Sequence, residues 1–125
     1  MIDWSQYPNF SEREFRCSHT GLCEMRPELL EILQDIRNEY GKPMPISSGY
    51  RAPSHPIEAA KSKPGSHAMG VAADIAVSGP DALRIVELAI KHGIRRIGVH
   101  QRGTGRFIHL DIGGHGLPSP AIWTY

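Results

Sequence analysis

Cysteine is scarce in this chain. Two residues in 125, Cys17 and Cys23, cannot build a disulfide framework, so stability must come from a core or from a metal. Any uninterrupted apolar run near the roughly 18 residues that cross a bilayer is lacking as well, which excludes stable membrane insertion. The opening MIDWSQYPNF has neither the basic start nor the apolar stretch of a secretion signal, so synthesis in the cytosol without a signal peptide is expected. Charge of one sign is also missing. The 14 Lys+Arg against 13 Asp+Glu leave a formal +1, a field too weak to make nucleic acid or an anionic membrane the main partner. There is no repeat period, low-complexity stretch or Ser/Gly linker to divide the chain. What is present is 40% hydrophobic residues, enough for one core, and seven histidines. Residues 1–125 are expected to form one domain and to act as a monomer.

Apolar spacing orders the elements. Residues 1–26 read as an irregular arm pinned to the core by Trp4, Tyr7, Phe10 and Phe15. Pro27 suits a first helical turn, Leu29, Leu30, Leu33, Ile36 and Tyr40 keep helical period, and Gly41 before Pro43 supplies the stop. A second helix is expected from Pro80 to His92, with a capping-box-like start at Ser78 and Asp81 and with Leu83, Val86 and Ile90 on one face. Elsewhere the period is two, giving strands at Pro45–Ser48, Val71–Val77, Ile94–His100 and Arg106–Ile112, the last two joined by a hairpin over Gln101–Gly105. The fold class is α+β, a small antiparallel sheet with helices on one face. The Pro- and Gly-bearing stretch Arg51–Gly70 should form a long ordered loop over the other face, where chemistry is usually placed.

Within Ser66-His67-Ala68-Met69-Gly70-Val71-Ala72-Ala73-Asp74, a turn at Gly70 puts Ala72, Asp74 and Ala76 on one strand face. His67 then approaches Asp74 from the loop above. In the last strand Phe107, His109 and Asp111 share a face opposite Ile108, Leu110 and Ile112. Titratable groups at alternate positions of an apolar strand are costly to bury unpaired, and a divalent cation pairs them. His67, Asp74 and His109 offer two imidazoles and a carboxylate, a three-ligand set that leaves a fourth zinc position for water.

The segments Ser47-Ser48-Gly49-Tyr50-Arg51, Ser66-His67-x-x-Gly70-x-Ala72-x-Asp74 and Phe107-Ile108-His109-Leu110-Asp111 resemble the zinc D-alanyl-D-alanine carboxypeptidase family. That family belongs to the group shared with lysostaphin-type endopeptidases and hedgehog signalling domains. The resemblance runs from about Phe15 to Ile112 and implies zinc on His67, Asp74 and His109. It also implies a substrate-carboxylate contact from Arg51, whose planar fork suits a carboxylate. Ser66, within the middle motif, and His100, at the end of the third strand, are further candidate substrate-binding residues.

One departure concerns the base. Many relatives carry a catalytic carboxylate three residues before the last zinc His, where this chain has Arg106, and the lysostaphin-like branch has a His two residues before it, where this chain has Phe107. Asp111, about 6.5–7 Å along the strand from His109, is the candidate catalytic base in its place; the alternative is that it orients a zinc ligand from behind. His100 and His115 are spare imidazoles. His55 and Glu58 read as loop-bracing. Cys17-x-His19-x3-Cys23 is a weak metal pattern, and Arg95, Arg96, Arg102 and Arg106 read as a solvated basic hairpin. A facial iron triad is excluded because it needs a distant downstream His. The expectation is a zinc peptidase acting on the peptidoglycan stem peptide at the cell wall, in the manner of a phage or prophage lysin. The alternative is a catalytically weak zinc-stabilised binding module on the same fold.

Overall fold

The computed structural model describes residues 1–125 and has an α+β architecture. A 3-10 turn at Trp4–Gln6 and helices α1 (Glu12–Phe15) and α2 (Pro27–Tyr40) precede strand β1 (Ile46–Ser48). Helix α3 (Pro56–Ala59), strand β2 (Ala72–Ile75), helix α4 (Gly79–Lys91) and strands β3 (Arg96–His100), β4 (Phe107–Asp111) and β5 (Ala121–Thr124) follow. The sheet order is β1-β2-β4-β3-β5. All neighbours are antiparallel except β3 and β5, which run parallel.

Helix α2 forms where the leucines fall. Pro27 occupies its first turn, Leu29, Leu30, Leu33 and Ile36 are fully buried, and the chain leaves through Gly41 at φ 73°. Each of those side chains contributes about 1.5–3 kcal/mol of apolar burial, and Leu33→Ala would cost about 2–5 kcal/mol. Helix α4 packs beside it through Ala82, Ile85, Leu88 and Ala89. This differs from the expected apolar face: Leu83 and Ile90 are 65% and 58% exposed. Two stripes compete on α4, and the one carrying two alanines lets the backbone come closer to its neighbours. Ser78 makes no side-chain cap bond, and Asp81 pairs with Lys42 instead.

The arm over residues 1–26 is more ordered than its sequence suggested. Glu14 accepts from the Ser11 backbone N–H at 2.9 Å, which starts α1. Phe15 is fully buried between Trp4, stacked at 5.6 Å, and Phe10, edge-on at 5.6 Å. The long loop likewise contains a helix, α3, begun by Pro56 and capped by His55, whose Nδ1 accepts from Ile57 N–H.

The fifth strand was not anticipated. It has four residues, follows Pro118 and Pro120, and lies parallel to β3, whereas the sequence pattern predicts only antiparallel neighbours. Its register completes the rows of one sheet face. Asp74, His109, Gly98 and Trp123 lie side by side across four strands, and Ala72, Asp111, Arg96 and Ala121 form the row beside them. The opposite face, with Ala73, Ile75, Ile97, Ile108 and Leu110, joins α2 and α4 in one continuous apolar core. The helices thus cover one face and leave the other to the polar rows.

Candidate metal centre

Gly70 is where the site begins. Its φ of +73° suits glycine, and a Cβ there would lie 2.0 Å from the Glu24 carbonyl oxygen. The tight crossing is tied by Arg26 N–H, which donates to Gly70 O at 2.9 Å. The turn ends the 51–70 loop, carries His67 over the sheet and feeds β2. His67 is fixed from behind, its Nδ1 2.7 Å from the Gly49 carbonyl, which leaves Nε2 facing Asp74.

Three groups converge. His67 Nε2 lies 3.3 Å and His109 Nδ1 3.0 Å from Asp74 Oδ1. The donor atoms of all three residues lie within 4.8 Å of one another, all three residues are buried, and no other group of His, Cys, Asp or Glu side chains comes together this way. A tetrahedral zinc with bonds of about 2.0–2.1 Å has donor-to-donor edges of about 3.3–3.4 Å, close to the two separations observed. The donor set fits the ion.

Electrostatics agree with the geometry. Burial alone would push Asp74 up, but hydrogen bonds from His109 and His67, together with their charge, hold its pKa down to about 2. Burial pulls His109 down, and its hydrogen bonds to Asp111 and Asp74 more than offset this, so its pKa is raised. A metal ion held by His109 would compete with a proton for the same ring nitrogen.

Asp111 stands behind His109. Its Oδ2 is 2.7 Å from His109 Nε2, while Oδ1 accepts from Arg96 Nε at 2.6 Å and from Gly113 N–H at 2.9 Å. The residue is 0% exposed. Burial would raise its pKa, but the bonds from His109 and Arg96 keep it below the ordinary carboxylate value. Ser66 Oγ also reaches His109 Nε2, at 3.4 Å.

Arg51 sits at the rim. Its guanidinium lies 3.9 Å from Asp74 Oδ2 and 3.8 Å from Glu58 Oε2, oriented by both charges without a close bond to either. Glu58 is buried and accepts from Gly65 N–H at 2.9 Å and Lys61 Nζ at 2.7 Å, tying the loop together beside Arg51. His100 is half-buried, 5.1 Å from the Phe107 ring and 6.0 Å from that of Tyr125. His115 is exposed and outside the cluster.

Several residues were misjudged or missed. Arg96 belongs to no solvated basic face: it is 8% exposed, paired with Asp111 and stacked 5.0 Å over Trp123. Arg95, Arg102 and Arg106 are exposed as expected. Cys17 and Cys23 are free thiols and do not assemble with His19 into a metal group. Trp123, 5.1 Å from the His109 ring, walls the site, and Tyr125 follows two positions on. Burial raises the Tyr125 pKa; the Trp123 indole N–H opposes this, and the charges of Asp74, Arg51 and Asp111 also reach the phenol. The alternations Arg96-x-Gly98-x-His100 and Ala121-x-Trp123-x-Tyr125 carried the signal for this wall.

No helix is long and apolar enough to cross a membrane. No curated protein matches the chain. The Peptidase M15 family profile matches residues 8–111, a span holding Arg51, His67, Asp74, His109 and Asp111. The buried donor triad and this match over most of the sequence agree: the chain belongs to the Peptidase M15 family of zinc-dependent peptidases.

Proposed function

We propose that the chain hydrolyses amide bonds in the peptides of bacterial peptidoglycan, with zinc held by His67, Asp74 and His109. The observation that carries this reading is the convergence of those three buried donors beside a partly exposed Arg51. Zinc, when bound, supplies Lewis acidity toward a carbonyl and activation of water. Arg51 anchors a substrate carboxylate, for which its guanidinium has free donors because neither Glu58 nor Asp74 is within hydrogen-bond distance. Gly49 O and Asp111 fix the ring orientations of His67 and His109.

Asp111 serves as a positioning residue in this reading and not as the base. Both its oxygens are engaged and it is sealed from solvent, so water on the open side of the site has no access to it. The position three before His109 is Arg106, exposed and bonded to Gly103 O. The lack of a carboxylate there favours, as a second reading, a zinc-stabilised module that binds wall peptides with little turnover.

The test uses purified cell walls. Release of new amine groups, stopped by chelator and restored by zinc, supports the peptidase, and mass spectrometry of the fragments names the bond. His67→Ala should lose both the bound zinc and the activity. Arg51→Ala should keep zinc and raise KM at least tenfold. One zinc per chain with no amine release and retained wall binding would favour the binding module.

A further inference from the structure

Beyond the metal ligands and Arg51, the polar face carries a hydroxyl that has no part in the reading above. It belongs to Tyr125, which lies past residue 111, where the family match ends. β5 runs parallel to β3, so Trp123 lies next to Gly98, which in turn pairs with His109. Tyr125, two residues further on, falls on the same face beside His100.

Gly98 makes the arrangement possible. A Cβ at that position would lie 2.6 Å from Trp123 Nε1 and 2.9 Å from Tyr125 Oη. Both polar atoms therefore fold over the glycine, one strand from His109, and adjacent strands are about 4.8 Å apart. The ring is held by neighbours: Phe107 at 5.1 Å and His100 at 6.0 Å, both edge-on. The Trp123 indole nitrogen and the phenol oxygen lie together over Gly98, and the Trp123 side chain opposes the rise that burial gives the phenol pKa. Indole is a donor only, so toward Trp123 the phenol oxygen can act only as an acceptor and its O–H is left to donate elsewhere. The residue as a whole is 62% exposed.

We propose that Tyr125 contacts the substrate, its O–H donating a hydrogen bond to the carbonyl oxygen of the scissile amide. This rests on the peptidase reading above. A carbonyl oxygen gains negative charge as the amide is attacked, so a donor placed there strengthens during the reaction and acts on kcat more than on binding. Trp123 and Gly98 are positioning residues in this account. They set where the phenol oxygen lies.

Tyr125→Phe removes one oxygen from an exposed side chain and leaves the ring packing in place, so folding is not at stake. The substrate is soluble muropeptide released from purified peptidoglycan by a muramidase, presented to zinc-loaded protein. Amine release gives kcat and KM, and stopped-flow tryptophan emission on mixing, recorded in a Trp4→Phe background so that it reports Trp123, follows binding before turnover. The expected result is a fall of at least tenfold in kcat, with KM and the binding signal within threefold of the parent and bound zinc unchanged. An unchanged kcat, a loss confined to KM, or a loss that tracks lost zinc would each overturn the assignment while the parent remained active. A parent protein that neither binds nor cleaves the muropeptide would instead overturn the peptidase reading, and this assignment with it.

Discussion

Asp111 separates orientation from catalysis most sharply. Replacing it with Ala leaves His109 Nε2 and the Arg96 guanidinium without their carboxylate, in a place with no solvent access. Removing one member of a buried ion pair costs about 3–5 kcal/mol. Arg96 keeps the Pro118 carbonyl and the face of Trp123 at 5.0 Å, a cation–π contact that offsets about 1 kcal/mol. The net loss is then about 2–4 kcal/mol, against a total of about 6–19 kcal/mol for a chain of this size. In urea, with a slope of about 1.5 kcal/mol/M, the midpoint of the metal-free protein should fall by about 1.3–2.7 M. Zinc affinity, measured by chelator competition, should weaken about 10- to 100-fold because the ring is no longer held. The double variant Asp111→Leu/Arg96→Met tests the division. Apolar replacement of both partners should recover most of the stability while zinc affinity stays weak. An Asp111→Ala protein with parental zinc affinity and abolished hydrolysis would refute this account and return Asp111 to the role of base.

Gly70→Ala should destabilise by about 3 kcal/mol or more, since strain at positive φ adds to a backbone collision; thermal melting should drop by roughly 10 °C or more, and an unchanged melting temperature would contradict the tight crossing at Glu24. The stability of the metal-free protein should peak in mildly acidic solution. Asp74, depressed to about 2, contributes stability that is present above its unfolded value and lost as pH falls through the folded one. His109, raised by its carboxylate neighbours, contributes stability present below its unfolded value and lost as pH rises through the folded one. Urea midpoints across pH 2–9 in chelator should therefore decline on both sides, and a flat profile above pH 6 would count against the His109 bridge. Zinc should reverse the alkaline decline, because protons and metal compete for the same nitrogen.

Much of this was legible in the chain because chemistry and period coincided. The leucines of α2 announce a buried face, and His67, Asp74 and His109 announce a metal through residue types that are expensive to bury without one. Other features depended on partners distant in sequence. Arg96 looks like a surface cation until β3 is placed in register with β4, where it meets Asp111. Leu83 and Ile90 look like core until the two alanines on the other side of α4 are seen to set the closer approach. β5 is four residues long, and only its parallel register beside β3 brings Trp123 to His109 and Tyr125 to His100.

The N-terminal arm holds two of the three motif segments by their backbones: Tyr50 N–H donates to Phe15 O at 2.7 Å, and Arg26 N–H to Gly70 O at 2.9 Å. Arg51 and His67 thus take their coordinates from a stretch of chain that has no chemistry of its own. A shortened protein starting at α2 would retain Arg51, His67, Asp74 and His109 yet lose the frame that aligns them. Changes of length are better absorbed between residues 59 and 64, on the exposed outer turn of the loop, than anywhere from Phe15 to Arg26.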